Sequence, residues 1–151
     1  MDEKLKSILS RLESQCARRE YCEKDISDKL KRLEVSDGAD GILKSLRENG
    51  FVSNSRFASA FAREKSSITG WGPVKIRYAL SAKGISREDI DEALLSIDGQ
   101  KASEKLSRLL EAKARTLEGD PDIKLKLIRF ALSRGFEYEE VRQAICGLPG
   151  R

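Results

Sequence analysis

The stretch Ile76-Arg77-Tyr78-Ala79-Leu80-Ser81-Ala82-Lys83-Gly84-Ile85 returns later in the chain as Ile128-Arg129-Phe130-Ala131-Leu132-Ser133-Arg134-Gly135-Phe136, with one residue deleted. Each copy spaces apolar residues three and four apart and then breaks at a glycine followed by a large apolar side chain. That is how a helix ends in a left-handed cap. Past the glycine, Glu88-Asp89-Ile90-Asp91-Glu92-Ala93-Leu94 lines up with Glu139-Glu140-Val141-Arg142-Gln143-Ala144-Ile145, so the offset is 52 residues before the deletion and 51 after it. A weaker echo lies between Leu30 and Leu46, where Leu30, Leu33 and Ile42-Leu43 take comparable places. The 151 residues therefore divide into three units of three helices, at 1–51, 52–98 and 99–151. A unit of about 50 residues buries too little apolar surface alone, so neighbours must stack, and the expected fold is an all-α, elongated and curved row of repeats.

Outward from this core the same helical spacing recurs in Leu5, Ile8, Leu9, Leu12 and Cys16, in Ile26, Leu30 and Leu33, in Phe57, Ala58, Phe61 and Ala62, and in Leu106, Leu109, Leu110 and Leu117. With the remaining stripes the count is nine helices. No stretch alternates as a half-buried strand does. Ser86 with Asp89 suits a capping box, and Gly50, Gly84 and Gly135 suit left-handed ends. Asp120-Pro121 and Gly72-Pro73 each offer a helix start with proline in the first position.

Composition removes whole classes of chemistry. The chain has no histidine, so Ser/His/Asp and Cys/His nucleophilic sites and His-containing zinc sites cannot be built. Three cysteines cannot furnish a four-thiolate metal site, and an odd number argues against a disulfide framework. Cys16 and Cys146 fall on or beside apolar stripes and read as small core residues; Cys22 stands where a helix start would use a cap. No apolar segment approaches the roughly 20 residues of a membrane span. The acidic opening Met1-Asp2-Glu3-Lys4 leads into no secretory h-region. The setting these features imply is a reducing cytoplasm. No carboxylate pair stands out as general acid and base and no phosphate loop is present, so the chain reads as a non-enzyme without cofactor or metal.

Charge is distributed in blocks. Arg56 to Arg87 holds seven bases against one acid, Glu88 to Asp98 five acids and no base, and Lys101 to Arg134 nine bases against five acids. The formal net charge of +4 admits a polyanionic or acidic partner. The pair of helices around Gly84 could be a helix-turn-helix, but its second helix carries Glu88, Asp89, Asp91 and Glu92, which phosphates repel. The better candidates for a partner face are Lys75, Arg77 and Lys83, with Lys124, Lys126, Arg129 and Arg134 in the matching helix. Arg18 and Arg19 form another basic pair. Trp71, the only tryptophan, sits in a turn and is either interhelical packing or an exposed anchor.

The run Arg56-Phe57-Ala58, Phe61, Trp71-Gly72-Pro73, Lys75-Ile76-Arg77, Leu80 and Lys83-Gly84-Ile85-Ser86 resembles the central signature of the RecX family, bacterial regulators of the RecA recombinase. Arg134-Gly135-Phe136 resembles that family's C-terminal motif, and Asp25-Ile26 with Lys29-Leu30 its first-repeat motif. Two positions depart: Cys22 stands where the family has serine, and Asn54-Ser55 replaces an aspartate-glutamate pair. The resemblance implies a modulator, mainly an inhibitor, that lodges in the groove of the RecA–single-stranded DNA filament as a monomer and suppresses ATP hydrolysis, strand exchange and coprotease activity. Single- or double-stranded DNA is a possible second partner. From their places in the matching motifs Arg56, Trp71, Lys75, Arg77, Lys83 and Arg134 would make contacts. The competing readings are a stand-alone DNA-binding module and a general helical scaffold.

Overall fold

A computed structural model describes residues 1–148; the end of the third unit, residues 149–151, lies outside the described residues. The elements in order are α1 (Glu3–Arg18), α2 (Glu23–Arg32), α3 (Ala39–Glu48), α4 (Asn54–Glu64), a π-helical turn (Lys65–Thr69), α5 (Pro73–Ala82), α6 (Arg87–Leu95), α7 (Gly99–Thr116), α8 (Ile123–Ser133) and α9 (Tyr138–Cys146). The described residues contain no strand.

The starts of the helices are set by short polar side chains that accept from orphan backbone donors. Asp2 accepts from Leu5 N at 2.8 Å, Ser53 from Arg56 N at 3.2 Å, Ser86 from Asp89 N at 3.2 Å, and Asp98 from both Gln100 N and Lys101 N. The middle helix of each unit ends in one shared motif. Val35, Ile85 and Phe136 donate to the carbonyls of Leu30, Leu80 and Ala131, while Glu34, Gly84 and Gly135 donate to those of Lys31, Ser81 and Leu132. The residue in the left-handed region is Glu34 in the first unit, Gly84 in the second and Gly135 in the third.

This motif sets the true register of the repeat. Ile76, Leu80, Ile85 and Ile90 are buried, and so are Leu127, Ala131, Phe136 and Val141, a constant shift of 51. The first unit follows with Ile26, Leu30 and Val35, a shift of 50. The letter-by-letter match is therefore one position out across α5 and α8: it equates Leu80, fully buried, with Leu132, 42% exposed. A helix presents its stripe at fixed positions relative to its cap. Gly84 and Gly135 are 51 apart, so no residue is missing between the structural repeats.

Three apolar clusters follow. The first gathers Ile8, Leu12, Cys16, Ile26, Leu30, Ile42 and Leu46, the second Phe57, Ala58, Ala62, Ile76, Leu80, Ile90 and Ala93, and the third Leu106, Leu110, Leu127, Ala131, Val141 and Ile145. Each fully buried Leu or Ile contributes about 1.5–3 kcal/mol. The third helix of the first and second units packs against both of its predecessors, and in the third unit all three helices touch. The accessible surface is 9317 Å², against about 7,700 Å² for a compact chain of 16.9 kDa. That excess is what a row of small cores leaves exposed.

The structure corrects several expectations. α8 begins at Ile123 rather than at Pro121, because the Asp120 carboxylate turns onto the Asp122 N–H (2.8 Å) and the Lys126 ammonium and holds residues 120–122 as a turn. Cys146 is exposed: burial of Val141 and Ile145 turns the next residue outward. Leu33 is 39% exposed for the same reason, lying off the Ile26–Leu30 stripe.

Candidate partner-binding surface

The candidate cations sit at two joints between units and on one free face. At the first joint the start of α2 meets the second unit. Cys22 is the N-cap of α2, a residue type with weak accepting power, and two neighbours compensate. The Asp25 carboxylate turns back to the Cys22 N–H at 3.3 Å, and Asn54, from the next unit, accepts from Glu23 N at 2.9 Å. Cys22 itself is fully buried, and its side chain belongs to the second unit's core rather than the first. Burial raises its thiol pKa above the ordinary value. Lys83 reaches across 58 residues of sequence to Asp25 at 2.8 Å. Burial of Asp25 pushes its carboxyl up, but the hydrogen bonds from Lys83 and Cys22 outweigh that and hold it below its usual range. The hydrogen bond to Asp25 in turn raises Lys83. Arg56 pairs with Glu20 at 3.0 Å and donates to Gly50 O at 2.8 Å. Arg19 lies over the Tyr21 ring, 4.7 Å from its centroid.

At the second joint the contact is backbone on backbone. Gly72 N donates to Arg134 O at 2.7 Å and Val74 N to Gly135 O at 2.9 Å. The first donors of α5 are thereby satisfied by the last carbonyls of α8, with the two helix dipoles head to tail. The Arg134 guanidinium donates to Thr69 O at 3.3 Å and lies over the Phe130 ring. Trp71 meets Phe61 edge-on with centroids 6.1 Å apart, and the ammonium groups of Lys75 and Lys65 stand 4.6 and 4.9 Å from the Trp71 ring centroid. Trp71 is thus half-buried packing that also carries two cations, each such contact being worth about 0.5–1 kcal/mol.

The remaining predicted residues divide between occupied and open. Arg77 pairs with Asp91 at 2.6 Å, on the acidic helix α6, and Lys126 pairs with Asp120. Arg18, Lys124 and Arg129 are exposed. The eleven predicted cations and Trp71 do not converge on one patch. Arg19, Arg56 and Lys83 lie at the first joint, and Trp71, Lys75 and Arg134 at the second. Apolar side chains that the charge pattern did not single out are also presented to solvent: Tyr78 is 78% and Leu95 85% exposed. Among the described residues no helix is long and apolar enough to cross a membrane.

Comparison with known proteins locates the chain. Residues 53–94 match a family model described as RecX, second three-helix domain, and residues 102–145 match RecX, third three-helix domain. A regulatory protein RecX of Chromohalobacter salexigens is 35% identical over 86% of this chain and 85% of its own length. One from Clostridium botulinum is 33% identical over 82% of this chain and 59% of its own. The crystal structure of RecX from Lactobacillus salivarius superposes with a TM-score of 0.82 at 21% identity, covering 97% of both chains. A second crystal structure of regulatory protein RecX gives 0.84 at 24% identity, covering 97% of this chain and 78% of its own.

Proposed function

The chain belongs to the RecX family of regulatory proteins, and on that premise we propose that it modulates the RecA recombinase, mainly as an inhibitor, in the control of DNA repair and recombination. In this reading the row of units lies in the groove of the RecA–single-stranded DNA filament and suppresses ATP hydrolysis, strand exchange and coprotease activity by occupying space rather than by chemistry. The observation that carries it is the match of the second and third units to RecX domains, joined to homology with regulatory proteins along most of the chain.

The physical features support such a role. A linear stack offers a long surface to a polymer, and cations spread along it match an acidic or phosphate-bearing groove. Complementarity of this kind sets orientation and on-rate more than affinity. Of the candidates, Arg18, Trp71, Lys75, Lys124 and Arg129 are the ones we assign to contacts, because Arg56, Arg77, Lys83 and Lys126 are already bonded to carboxylates. The competing reading of α6 as a recognition helix is disfavoured by the exposed Glu88, Asp91 and Glu92 it would set against phosphates.

The test is strand exchange and coprotease cleavage by the cognate RecA with this chain added. Suppression at or below equimolar ratio supports the proposal. Full activity at that ratio sinks it.

A further inference from the structure

Between the π turn and α7 lies an open cleft of about 510 Å³, at the joint of the second and third units. Its lining holds four cations, Arg63, Lys101, Lys105 and Arg108, against two carboxylates, Asp98 and Glu104. Both carboxylates are engaged. Asp98 accepts from the N–H groups of Gln100 (3.0 Å) and Lys101 (3.1 Å), and Glu104 accepts from the Gln100 side chain at 3.4 Å. The four cations are not bridged to any carboxylate among the described residues, in contrast to Arg56 and Lys83 at the first joint.

A second observation points into the same cleft. Ser66, 7% exposed, is the buried polar side chain of the described residues, and it lines this space from the π turn. Its neighbour Ser67 spends its hydroxyl on Arg63 O at 2.7 Å; the Ser66 hydroxyl makes no such bond within the described residues. An unpartnered buried hydroxyl costs stability unless something outside the protein completes it. The π turn follows α4 directly, and extra residues of this type recur at functional sites. Gly70, left-handed and packed under Leu109, closes the turn against α7.

We propose that this cleft binds the phosphates of a single nucleic-acid strand. Arginine, lysine and serine hydroxyl are the side chains that phosphate oxygens take. The lining contains no aromatic ring to hold a base, and the cleft is open along its length. A strand passing through by its backbone fits this better than a mononucleotide, which needs an enclosing pocket. The proposal stands apart from the RecA reading, since it concerns the bare strand.

The test is fluorescence anisotropy of a labelled oligothymidylate with the full chain and no recombinase, across a salt series. Relative to wild type, Lys105→Gln with Arg108→Gln should weaken binding about tenfold at low salt and lower the log–log salt slope by about 1.4, two single-strand phosphate contacts. Ser66→Ala should weaken binding severalfold and leave the slope unchanged, since it removes a donor but no charge. The control Lys4→Gln with Lys31→Gln, on exposed positions of the first unit, should bind as wild type. Absence of oligonucleotide binding, or a loss in the cleft variants no larger than in the control, would overturn the proposal. So would displacement of the strand by tripolyphosphate or polyglutamate at matched charge.

Discussion

The amide of Gly72 donates to the carbonyl of Arg134 at 2.7 Å, and a Cβ added at Gly72 would stand 2.5 Å from the backbone of Gly135. The start of α5 and the end of α8 meet with no room for a side chain on either. Gly135 has φ +94°, and its Cβ would fall 2.3 Å from that of Lys75; Gly84, its counterpart one unit earlier, has φ +74° but open space around it. Gly84→Ala should therefore cost about 1–2 kcal/mol, the left-handed penalty alone. Gly135→Ala should cost about 2–4 kcal/mol, because overpacking adds to it. Equal midpoint shifts in urea unfolding would contradict this.

Glu34 holds φ +58° at the position where the other two units have glycine. Its side chain is exposed and makes no hydrogen bond among the described residues. Replacing it by glycine removes left-handed strain with nothing lost, so Glu34→Gly should stabilise the chain by about 1 kcal/mol. A thermal melt measures it, and a lower midpoint would contradict the shared-cap interpretation.

The Lys83–Asp25 bridge ties the first joint with partly buried partners, and a double-mutant cycle of Lys83→Met and Asp25→Asn should give a coupling of about 1 kcal/mol at neutral pH. The sign of its pH dependence follows from the two shifts. Asp25 is depressed on folding, so its contribution is present above the ordinary carboxylate pKa and disappears as pH falls through the lower folded value. Lys83 is raised on folding, so its contribution is present below the ordinary lysine pKa and disappears as pH rises through the higher folded value. The coupling should be flat between those limits and vanish in strong acid; a coupling that grows in acid would refute the bridge.

Cys146 is exposed, whereas Cys16 and Cys22 are buried and burial raises both of their thiol pKa values. Reaction with a disulfide reagent near pH 8 requires both access and thiolate. One thiol should react quickly in the native protein and two only on unfolding. Three fast thiols would contradict the placement of Cys22 in the second core.

Most of the fold was legible because helix periodicity and punctuation are local properties. Gly84-Ile85 and Gly135-Phe136 announce their caps in adjacent letters, and Ser86 its hydroxyl cap on Asp89. The register was harder. Ile76-Arg77 and Ile128-Arg129 look alike, yet the structure aligns Ile76 with Leu127, since distance from the cap decides which residue faces inward. The π turn at Lys65–Thr69 left no periodic trace of its own. The partner surface was the least legible, because pairing depends on residues far apart in sequence. Arg56 and Glu20 are 36 apart and Lys83 and Asp25 58 apart, so the sequence shows charges without showing which are spent. The cleft cations Lys101, Lys105 and Arg108 could have been found as bases at helical spacing, but their opposite wall, Ser66, comes from another unit.

ATP hydrolysis by the cognate RecA on single-stranded DNA, followed while this chain is titrated in, tests the regulatory assignment most directly. A progressive fall in rate, well advanced before the two proteins are equimolar, is the predicted result. An unchanged rate at equimolar protein, with the chain folded and helical by circular dichroism, would contradict it.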